Sequence, residues 1–211
     1  MSDHSEASIR VMIADDHPLL RSGISAVLAR DARIHVVAEA ENGDMAVELF
    51  QRHRPDITLM DLQMPGRCGI KAIEAIRAID GRARIIILTT FSGDAQIMRA
   101  LHAGASGYLL KNMARTGLIE CIDSVHGGAQ FLPVEVARAV VYQPPADTLS
   151  AREIEVLRLV AHGYSNQRAA QQLGLKEDTI KAHMKTISSK LGARDRTHAV
   201  TIALKRGYWE V

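Results

Sequence analysis

Short apolar segments alternate with stretches of helical periodicity over the first 110 residues, and this alternation most constrains the fold. Each segment is brief and several are rich in β-branched residues, which is typical of strands buried on both faces of a parallel sheet. The segments are Ile9–Ala14, Ile34–Ala38, Asp56–Met60, Ile85–Leu88 and Tyr108–Leu110. Stripes such as Leu20, Ile24 and Val27 lie between them with helical spacing. We therefore predict a doubly wound sheet of five parallel strands alternating with five helices.

The rest of the chain shows helical patterns, and the join between the two halves is rich in glycine and proline. Gly127-Gly128 and Pro144-Pro145 mark this join, with a short helix predicted from Pro133 to Val141 and a semi-stiff spacer at the proline pair. The predicted organisation is a first domain at 1–127, a linker at 128–147 and a small all-helical domain at 148–211.

Positive charge is concentrated in the all-helical domain. The whole chain has a net charge of +2, whereas residues 148–211 hold 11 Lys and Arg against 6 Asp and Glu. This basic excess is compatible with a polyanionic partner such as nucleic acid.

Composition and patterning argue against membrane insertion, export and a cysteine-based metal site. No stretch approaches 18 consecutive apolar residues, and the polar start from Met1 to Ser8 lacks the pattern of a secretory signal. We therefore expect a cytoplasmic protein without a membrane partner. Cys68 and Cys121 have no metal-binding spacing, and we expect both to be buried small hydrophobic residues in a reducing compartment.

Polar side chains follow the predicted strands at the point where each strand ends. Asp15 and Asp16 follow the first segment, Asp61 follows the third, Thr89 closes the fourth and Lys111 closes the fifth. Because the carboxyl ends of parallel strands share one edge of a sheet, we expect these residues to converge. A single Asp after a strand is more often a turn or helix-capping residue. The prediction of a shared site therefore depends on all of these residues falling at the same edge of the sheet.

The residue types at this edge favour phosphoryl chemistry. Three close carboxylates repel one another and need a cation, and an oxygen-only ligand set suits Mg²⁺. Lys111 and the metal would hold a phosphoryl group, which a carboxylate can accept as an acyl phosphate. Asp61 is the best nucleophile candidate because it stands alone at a central strand end. Thr89 would donate a hydrogen bond to a phosphoryl oxygen, and Lys111 would pair with another.

Four motifs resemble the signatures of response-regulator receiver domains, and the resemblance covers residues 9–126. They are Asp15-Asp16-His17, Met60-Asp61-Leu62-Gln63-Met64-Pro65-Gly66, Leu88-Thr89-Thr90 and Gly107-Tyr108-Leu109-Leu110-Lys111. The resemblance implies a flavodoxin-like α/β receiver in which Asp61 takes phosphate from a sensor histidine kinase. It also implies direct Mg²⁺ ligation by Asp16, Asp61 and the Gln63 carbonyl, with Asp15 acting through water. Thr89 and Tyr108 would be the switch pair, and Asn112 stands where many receivers carry proline.

Capping signals define the helices of the second half. Ser150 and Glu153 fit a capping box, and Leu149 and Ile154 fit a hydrophobic staple. A helix is therefore predicted to begin after Ser150 and to run to His162. Ser165 or Asn166 would cap a second helix ending near Leu173. A third is predicted from Glu177 to Leu191 and a fourth from about Asp195 to Arg206. Short helices joined by a glycine-containing turn are typical of a helix-turn-helix.

The third of these helices has a face suited to the major groove of DNA. Ile180, Met184, Ile187 and Leu191 form its core stripe, and Lys181, Ala182, Lys185 and Ser189 face away from that stripe. Lysine can donate to guanine and Ala182 can touch a thymine methyl group. Thr179 and His183 flank the face and are placed to reach phosphates. The alternative is an amphipathic helix with a solvated lysine face.

This half resembles the LuxR-type, or NarL/FixJ, DNA-binding domain over residues 149–203. The matching segments are Leu149–Leu157, Gly163–Asn166, Asp178–His183 and Lys190–Ala193. The resemblance implies base contacts from Lys181, Ala182 and Lys185, phosphate contacts from Thr179 and His183, and dimerisation through the Asp195–Arg206 helix. Two departures are Ala169-Ala170, where many relatives have Ile-Ala, and Lys176, where a capping serine is common.

These sequence features leave three functions to compare. The leading hypothesis is a two-component transcription regulator, not an enzyme, that binds double-stranded promoter half-sites as a homodimer when Asp61 is phosphorylated. The alternative is a constitutive DNA-binding protein whose receiver serves only for dimerisation or protein contacts. An aspartyl-phosphate enzyme such as a phosphatase is disfavoured, because Asp61-Leu62-Gln63 lacks a second acid two residues on and no glycine-rich phosphate loop is present.

Overall fold

The computed structural model describes residues 8–90, 94–132, 134, 137 and 148–209. The described residues fall into two compact units, one drawn from Met1–Phe91 and Met98–Ala137, the other from Ser92–Ile97 and Arg138–Val211. Most of the segment predicted as a linker, including most of the predicted Pro133–Val141 helix and the Pro144-Pro145 pair, lies outside the described residues.

In the described part of the first unit, five parallel strands form one sheet in the order β2-β1-β3-β4-β5. They are β1 (Ile9–Ala14), β2 (Ile34–Ala40), β3 (Ile57–Asp61), β4 (Ile85–Thr89) and β5 (Gly107–Leu110). Each neighbouring pair is parallel. The predicted doubly wound sheet is confirmed.

Five helices accompany this sheet. They are α1 (Pro18–Leu28), α2 (Gly43–His53), α3 (Gly69–Ile79), α4 (Asp94–His102) and α5 (Ala114–His126). The apolar stripes of α1 and α5 pack on the sheet, where Ile24 and Leu28 join Leu118, Ile122 and Val125 in one buried cluster with β1 and β3 residues. This cluster explains the helical spacing seen in the sequence.

Two local expectations for the first unit were incomplete or wrong. The second strand continues beyond Ala38 to Ala40, because Ala40 pairs with Ala14 and is buried. Cys68 is exposed rather than buried, because it precedes the first residue of α3 at the end of a surface loop. Cys121 is buried as expected, and burial raises the pKa of its thiol to about 12.

Residues 148–209 of the second unit contain four helices. They are α6 (Ala151–Ala161), α7 (Asn166–Leu173), α8 (Glu177–Leu191) and α9 (Arg196–Lys205). The capping box of Ser150 and Glu153 is present, and Ser165 caps α7. Lys176 precedes α8 without a side-chain cap, as its residue type predicts. Among the described residues, no helix is long and apolar enough to cross a membrane.

The helices of the second unit pack around one apolar cluster. Ile180, Ile187 and Leu191 of α8 are buried in it, and Met184 is partly buried against it. Ala169 and Ala170 of α7 lie in the same cluster, so this pair occupies the buried face of its helix. The predicted core stripe of α8 is therefore confirmed, and its opposite face is left exposed.

An ion pair between partly buried Lys190 and buried Glu153 connects α8 to α6. Lys190 Nζ lies 2.7 Å from Glu153 Oε2 and 3.1 Å from the Thr148 carbonyl oxygen. Burial raises the pKa of Glu153, but hydrogen bonds from Lys190 and Ser150 outweigh it and hold the pKa below its ordinary value. Glu153 is almost fully buried, so this carboxylate depends on Lys190 for charge compensation.

Replacing Lys190 with methionine is expected to destabilise the helical unit by about 2 kcal/mol, because the buried Glu153 carboxylate loses its cation. Urea unfolding followed by fluorescence of Trp209, the one tryptophan of the chain, measures this free energy. Because folding lowers the pKa of Glu153, its ionised carboxylate stabilises the folded state at pH values above the ordinary pKa of 4.5. This stabilisation is lost as the pH falls through the pKa of the folded state. The difference between Lys190→Met and wild type is therefore expected to shrink in acid.

The matched control is Glu155→Gln, which breaks the exposed pair in which Arg152 lies 2.7 Å from Glu155. It is expected to change the free energy of unfolding by less than about 1 kcal/mol. Equal stabilities of Lys190→Met and wild type at pH 7 would contradict the assignment.

Candidate functional site

The strand ends bring three acidic residues together at one edge of the sheet. Asp15 directly follows β1, Asp61 is the last residue of β3, and these two strands are neighbours. Carboxylate oxygens of Asp15, Asp16 and Asp61 and a ring nitrogen of His17 all lie within 4.8 Å of one another. The predicted convergence of the acids is confirmed.

Lys111 lies between two of these carboxylates. It follows β5 and begins a short 3₁₀ helix, Lys111–Met113. Its Nζ atom lies 2.7 Å from Asp15 Oδ2 and 2.7 Å from Asp61 Oδ2, and its side chain is 9% exposed. One ammonium group thus bridges the ends of β1 and β3.

A close backbone approach shapes the loop that follows Asp61. The Gln63 N–H donates to Asp61 Oδ1 at 3.2 Å, and the Gly69 N–H donates to the Leu62 carbonyl at 3.1 Å. A Cβ atom at Gly69 would lie 2.1 Å from the Asp61 carbonyl oxygen. Glycine is therefore required where α3 begins, and the sequence pattern alone did not indicate this requirement.

Burial and ion pairing act against each other at this site. Burial raises the pKa of Asp61, and the hydrogen bond from Lys111 only partly offsets it. For Lys111, burial favours the neutral amine, but hydrogen bonds to Asp15 and Asp61 outweigh it and raise its pKa. Lys111 therefore stays positively charged at neutral pH and can attract a phosphoryl oxygen.

Thr89 and Tyr108 lie on β4 and β5, the two strands on one side of β3 in the sheet. Thr89 is the last residue of β4 and is buried. Tyr108 is on β5, opposite Ile87 of β4, and its ring is buried. Burial raises the pKa of the Tyr108 phenol, which keeps it protonated. Both residues occupy the predicted strands, and their role as a switch pair remains a prediction.

The donor set at the acidic edge fits a hard divalent cation. Asp16 Oδ1 is buried and accepts no hydrogen bond among the described residues, although His17 Nδ1 lies 2.8 Å away outside hydrogen-bonding geometry. Three carboxylates with one compensating lysine leave excess negative charge, and oxygen-rich sets of this kind suit Mg²⁺. His17 was not predicted as a member of this cluster, although its position directly after Asp15-Asp16 was the available signal.

The exposed face of α8 is the candidate nucleic-acid interface. Lys181, Ala182 and Lys185 are exposed, and Thr179 and His183 at its flank are partly buried. The structure therefore places all five predicted residues on or beside the face opposite the core stripe. Their individual contacts with DNA remain predictions.

Acidic residues at the start of α8 contact one of these lysines. Lys181 Nζ lies 3.1 Å from Asp178 Oδ1 and 3.2 Å from Glu177 Oε1. These contacts between the acids and Lys181 were not predicted from the sequence.

Comparison with known protein families covers both units. Residues 11–123 match the response regulator receiver domain, and residues 147–203 match the luxR family of bacterial regulatory proteins. The two matches follow each other along the chain in the order that the sequence motifs predict.

Individual relatives share this two-part organisation. The transcriptional regulatory protein DegU of Brevibacillus brevis is 33% identical over 98% of each chain. The crystal structure of ChrA, a response regulator of a heme-sensing two-component system, is 40% identical over 95% of this chain and 98% of that one, with a TM-score of 0.56. RcsB of Salmonella enterica serovar Typhimurium, bound to promoter DNA with the phosphomimetic BeF₃⁻, is 29% identical over 94% and 98% of the two chains, with a TM-score of 0.72.

Replacing Asp61 with asparagine is expected to stabilise the first unit in the presence of EDTA. A carboxyl group whose pKa is raised by folding costs free energy once the pH rises above its ordinary value of 3.8, and asparagine removes that cost. We expect the thermal midpoint at pH 7 to rise by a few degrees, equivalent to about 1 kcal/mol. The gain should vanish below the ordinary pKa, where Asp61 is protonated in both states.

Calorimetry at several pH values tests this expectation. Asp44→Asn is the matched control, because Asp44 is exposed and pairs with Arg67 at 2.7 Å. This control is expected to give no gain in stability. An Asp61→Asn variant less stable than wild type at pH 7 would show that burial does not dominate at Asp61.

Proposed function

The chain belongs to the NarL/FixJ family of two-component response regulators, and from this premise we propose that phosphorylation of Asp61 controls its binding to promoter DNA. The family consists of DNA-binding transcription regulators in which a receiver domain precedes a LuxR-type helix-turn-helix domain. The observation that carries the proposal is the Lys111 ammonium held 2.7 Å from both Asp15 and Asp61 at the carboxyl edge of the sheet.

Asp61 is the proposed phosphoacceptor. One of its carboxylate oxygens forms a bond to phosphorus while the bond from phosphorus to a nitrogen of the donor histidine breaks, and the departing imidazole takes up a proton. Lys111 is placed to pair with an oxygen of the transferred group, and the Thr89 hydroxyl is proposed to donate to another. Catalysis of this transfer rests on positioning and charge, which this buried cluster supplies.

Asp16, Asp61 and the Gln63 carbonyl are the proposed ligands of Mg²⁺, with Asp15 acting through water. Bound there, Mg²⁺ would neutralise negative charge on the phosphoryl oxygens. Asp16 Oδ1 is buried and accepts no hydrogen bond from the part of the chain that the structure describes, which supports this assignment. Without the metal, the Lys111 ammonium offsets part of the negative charge of Asp15 and Asp61.

Phosphorylation is proposed to act through Thr89 and Tyr108. Movement of the Thr89 hydroxyl toward the phosphoryl group would leave space that the Tyr108 ring can occupy. The position of the two residues on neighbouring strands β4 and β5 supports this coupling. If the core has two packed arrangements and one of them favours the phosphorylated form, phosphorylation shifts the population toward that arrangement.

In the helical unit, Lys181, Ala182 and Lys185 are proposed to contact bases and Thr179 and His183 to contact phosphates. Exposure of the α8 face and the basic charge of residues 148–211 support this assignment. We further propose that α9 forms a homodimer contact, so that two copies read paired half-sites. The proposed partners are thus double-stranded promoter DNA, a sensor histidine kinase and a second copy of this chain.

The proposed domain boundaries are a receiver at 1–127, a linker at 128–147 and the DNA-binding domain at 148–211. The two family matches, which end at residue 123 and begin at residue 147, support these limits.

Millimolar Mg²⁺ is expected to raise the thermal midpoint of the receiver in wild type and to leave it unchanged in Asp16→Asn. A ligand present at about ten times its dissociation constant stabilises the folded state by about 1.4 kcal/mol. Asp44→Asn removes an exposed carboxylate of the same unit and should keep the full response to Mg²⁺. An equal response in Asp16→Asn and wild type would contradict the proposed ligand set.

Treatment with a small phosphodonor and Mg²⁺ is expected to strengthen DNA binding by wild type at least about tenfold, a typical coupling free energy of 1–3 kcal/mol. Asp61→Asn should show no response. The measurement is a gel-shift titration on a duplex selected by the wild-type protein from a random library.

Equal affinities of wild type and Asp61→Asn in every condition would favour the constitutive alternative, in which the receiver serves only for dimerisation or protein contacts. Failure of the wild-type protein to enrich any DNA sequence would contradict the DNA-binding assignment itself.

A further inference from the structure

We infer that Asp178 reads a cytosine in the major groove and so sets part of the operator sequence. The inference deepens the proposed function and rests on its DNA-binding part. It concerns a residue at the start of α8 that precedes the proposed base-contacting residues Lys181, Ala182 and Lys185.

Helical geometry places Asp178 on the groove-reading face. Successive residues of an α-helix are rotated by about 100°, so positions separated by three, four or seven residues lie on one face. Asp178 precedes Lys181 by three residues, Ala182 by four and Lys185 by seven. The side chain of Asp178 is 91% exposed, whereas the core stripe that begins at Ile180 is on the opposite side. Asp178 therefore lies near the middle of the exposed face.

The charges of the first turn make phosphate an unfavourable neighbour of Asp178. Glu177 and Asp178 both lie within 3.2 Å of Lys181 Nζ, so two negative charges share one positive charge. A phosphate group would meet net negative charge here. A base is uncharged, so it is not repelled, and an amino group on its edge can donate a hydrogen bond to the Asp178 carboxylate.

The chemistry of the base edges selects cytosine. An ionised carboxylate accepts hydrogen bonds and donates none. In the major groove the donors are the N4 amino group of cytosine and the N6 amino group of adenine, and adenine carries its N7 acceptor beside N6. That acceptor repels a carboxylate, so cytosine is the favoured partner. Lys181 beside Asp178 is suited to the acceptors of a nearby guanine.

A purely structural role for Asp178 predicts a different result. An acidic residue in the first turn interacts favourably with the helix dipole and can pair with Lys181 on the surface. Neither interaction depends on the base sequence of DNA. The two roles are therefore separated by base preference rather than by stability.

The test is selection of binding sites from a random duplex library by the full-length, phosphodonor-treated protein. For wild type we expect each selected half-site to prefer cytosine at one position, and we expect this preference to depend on Asp178. Asparagine can bond to both N6 and N7 of adenine, so Asp178→Asn should change the preference at that position from cytosine to adenine by about fivefold to tenfold. Asp178→Ala should lose the cytosine preference and gain none for adenine.

Glu155→Gln is the matched control, since it removes an exposed carboxylate of the same unit on α6 that pairs with Arg152. It should select the wild-type sequence. The inference is overturned if Asp178→Asn and Asp178→Ala both select the wild-type sequence, or if both lose discrimination equally at every position. If wild type enriches no sequence at all, the DNA-binding part of the proposed function fails, and this outcome is distinct from failure at Asp178.

Discussion

The Lys111 ammonium held between the carboxylates of Asp15 and Asp61 is the interaction on which the receiver site depends. The strand order places β1 beside β3, so their terminal acids are forced together at one edge of the sheet. One buried cation compensates part of this charge and leaves an excess that favours Mg²⁺. The same ammonium is placed to meet an incoming phosphoryl oxygen. The fold thus leaves excess negative charge at this edge of the sheet, which suits a divalent cation.

The helical unit uses charge for a different purpose. The ion pair between buried Glu153 and partly buried Lys190 connects the proposed recognition helix α8 to α6. The opposite face of α8 keeps its charged side chains exposed, and there Lys181, Lys185 and Asp178 offer both donors and an acceptor. Positive residues alone would attract any duplex, whereas a mixed face can discriminate between bases. On this proposal, Asp178 would read bases together with the two lysines, and Thr179 and His183 would contact phosphates.

Periodicity and capping chemistry predicted the fold well because both are local. The strand segments are almost fully buried except at the edge strand β2, which exposes His35 and Glu39. Ser150 with Glu153 forms its capping box within one turn of α6. Sheet topology then predicted the convergence of Asp15, Asp61 and Lys111. The exposure of Cys68 and the clash that excludes a side chain at Gly69 were not predictable, since they depend on how a loop returns to the sheet. The contact of Lys181 with Asp178 likewise depends on side-chain conformation, although their three-residue spacing was visible.

Reduction of the phosphorylated protein with borohydride identifies the residue that carries the phosphoryl group. This reagent converts an aspartyl phosphate to homoserine, which peptide mass spectrometry assigns to one residue. After treatment with a phosphodonor and Mg²⁺, the account predicts homoserine at residue 61 in wild type and none in Asp61→Asn. Homoserine at another aspartate of the wild-type protein, or at no residue, would contradict it.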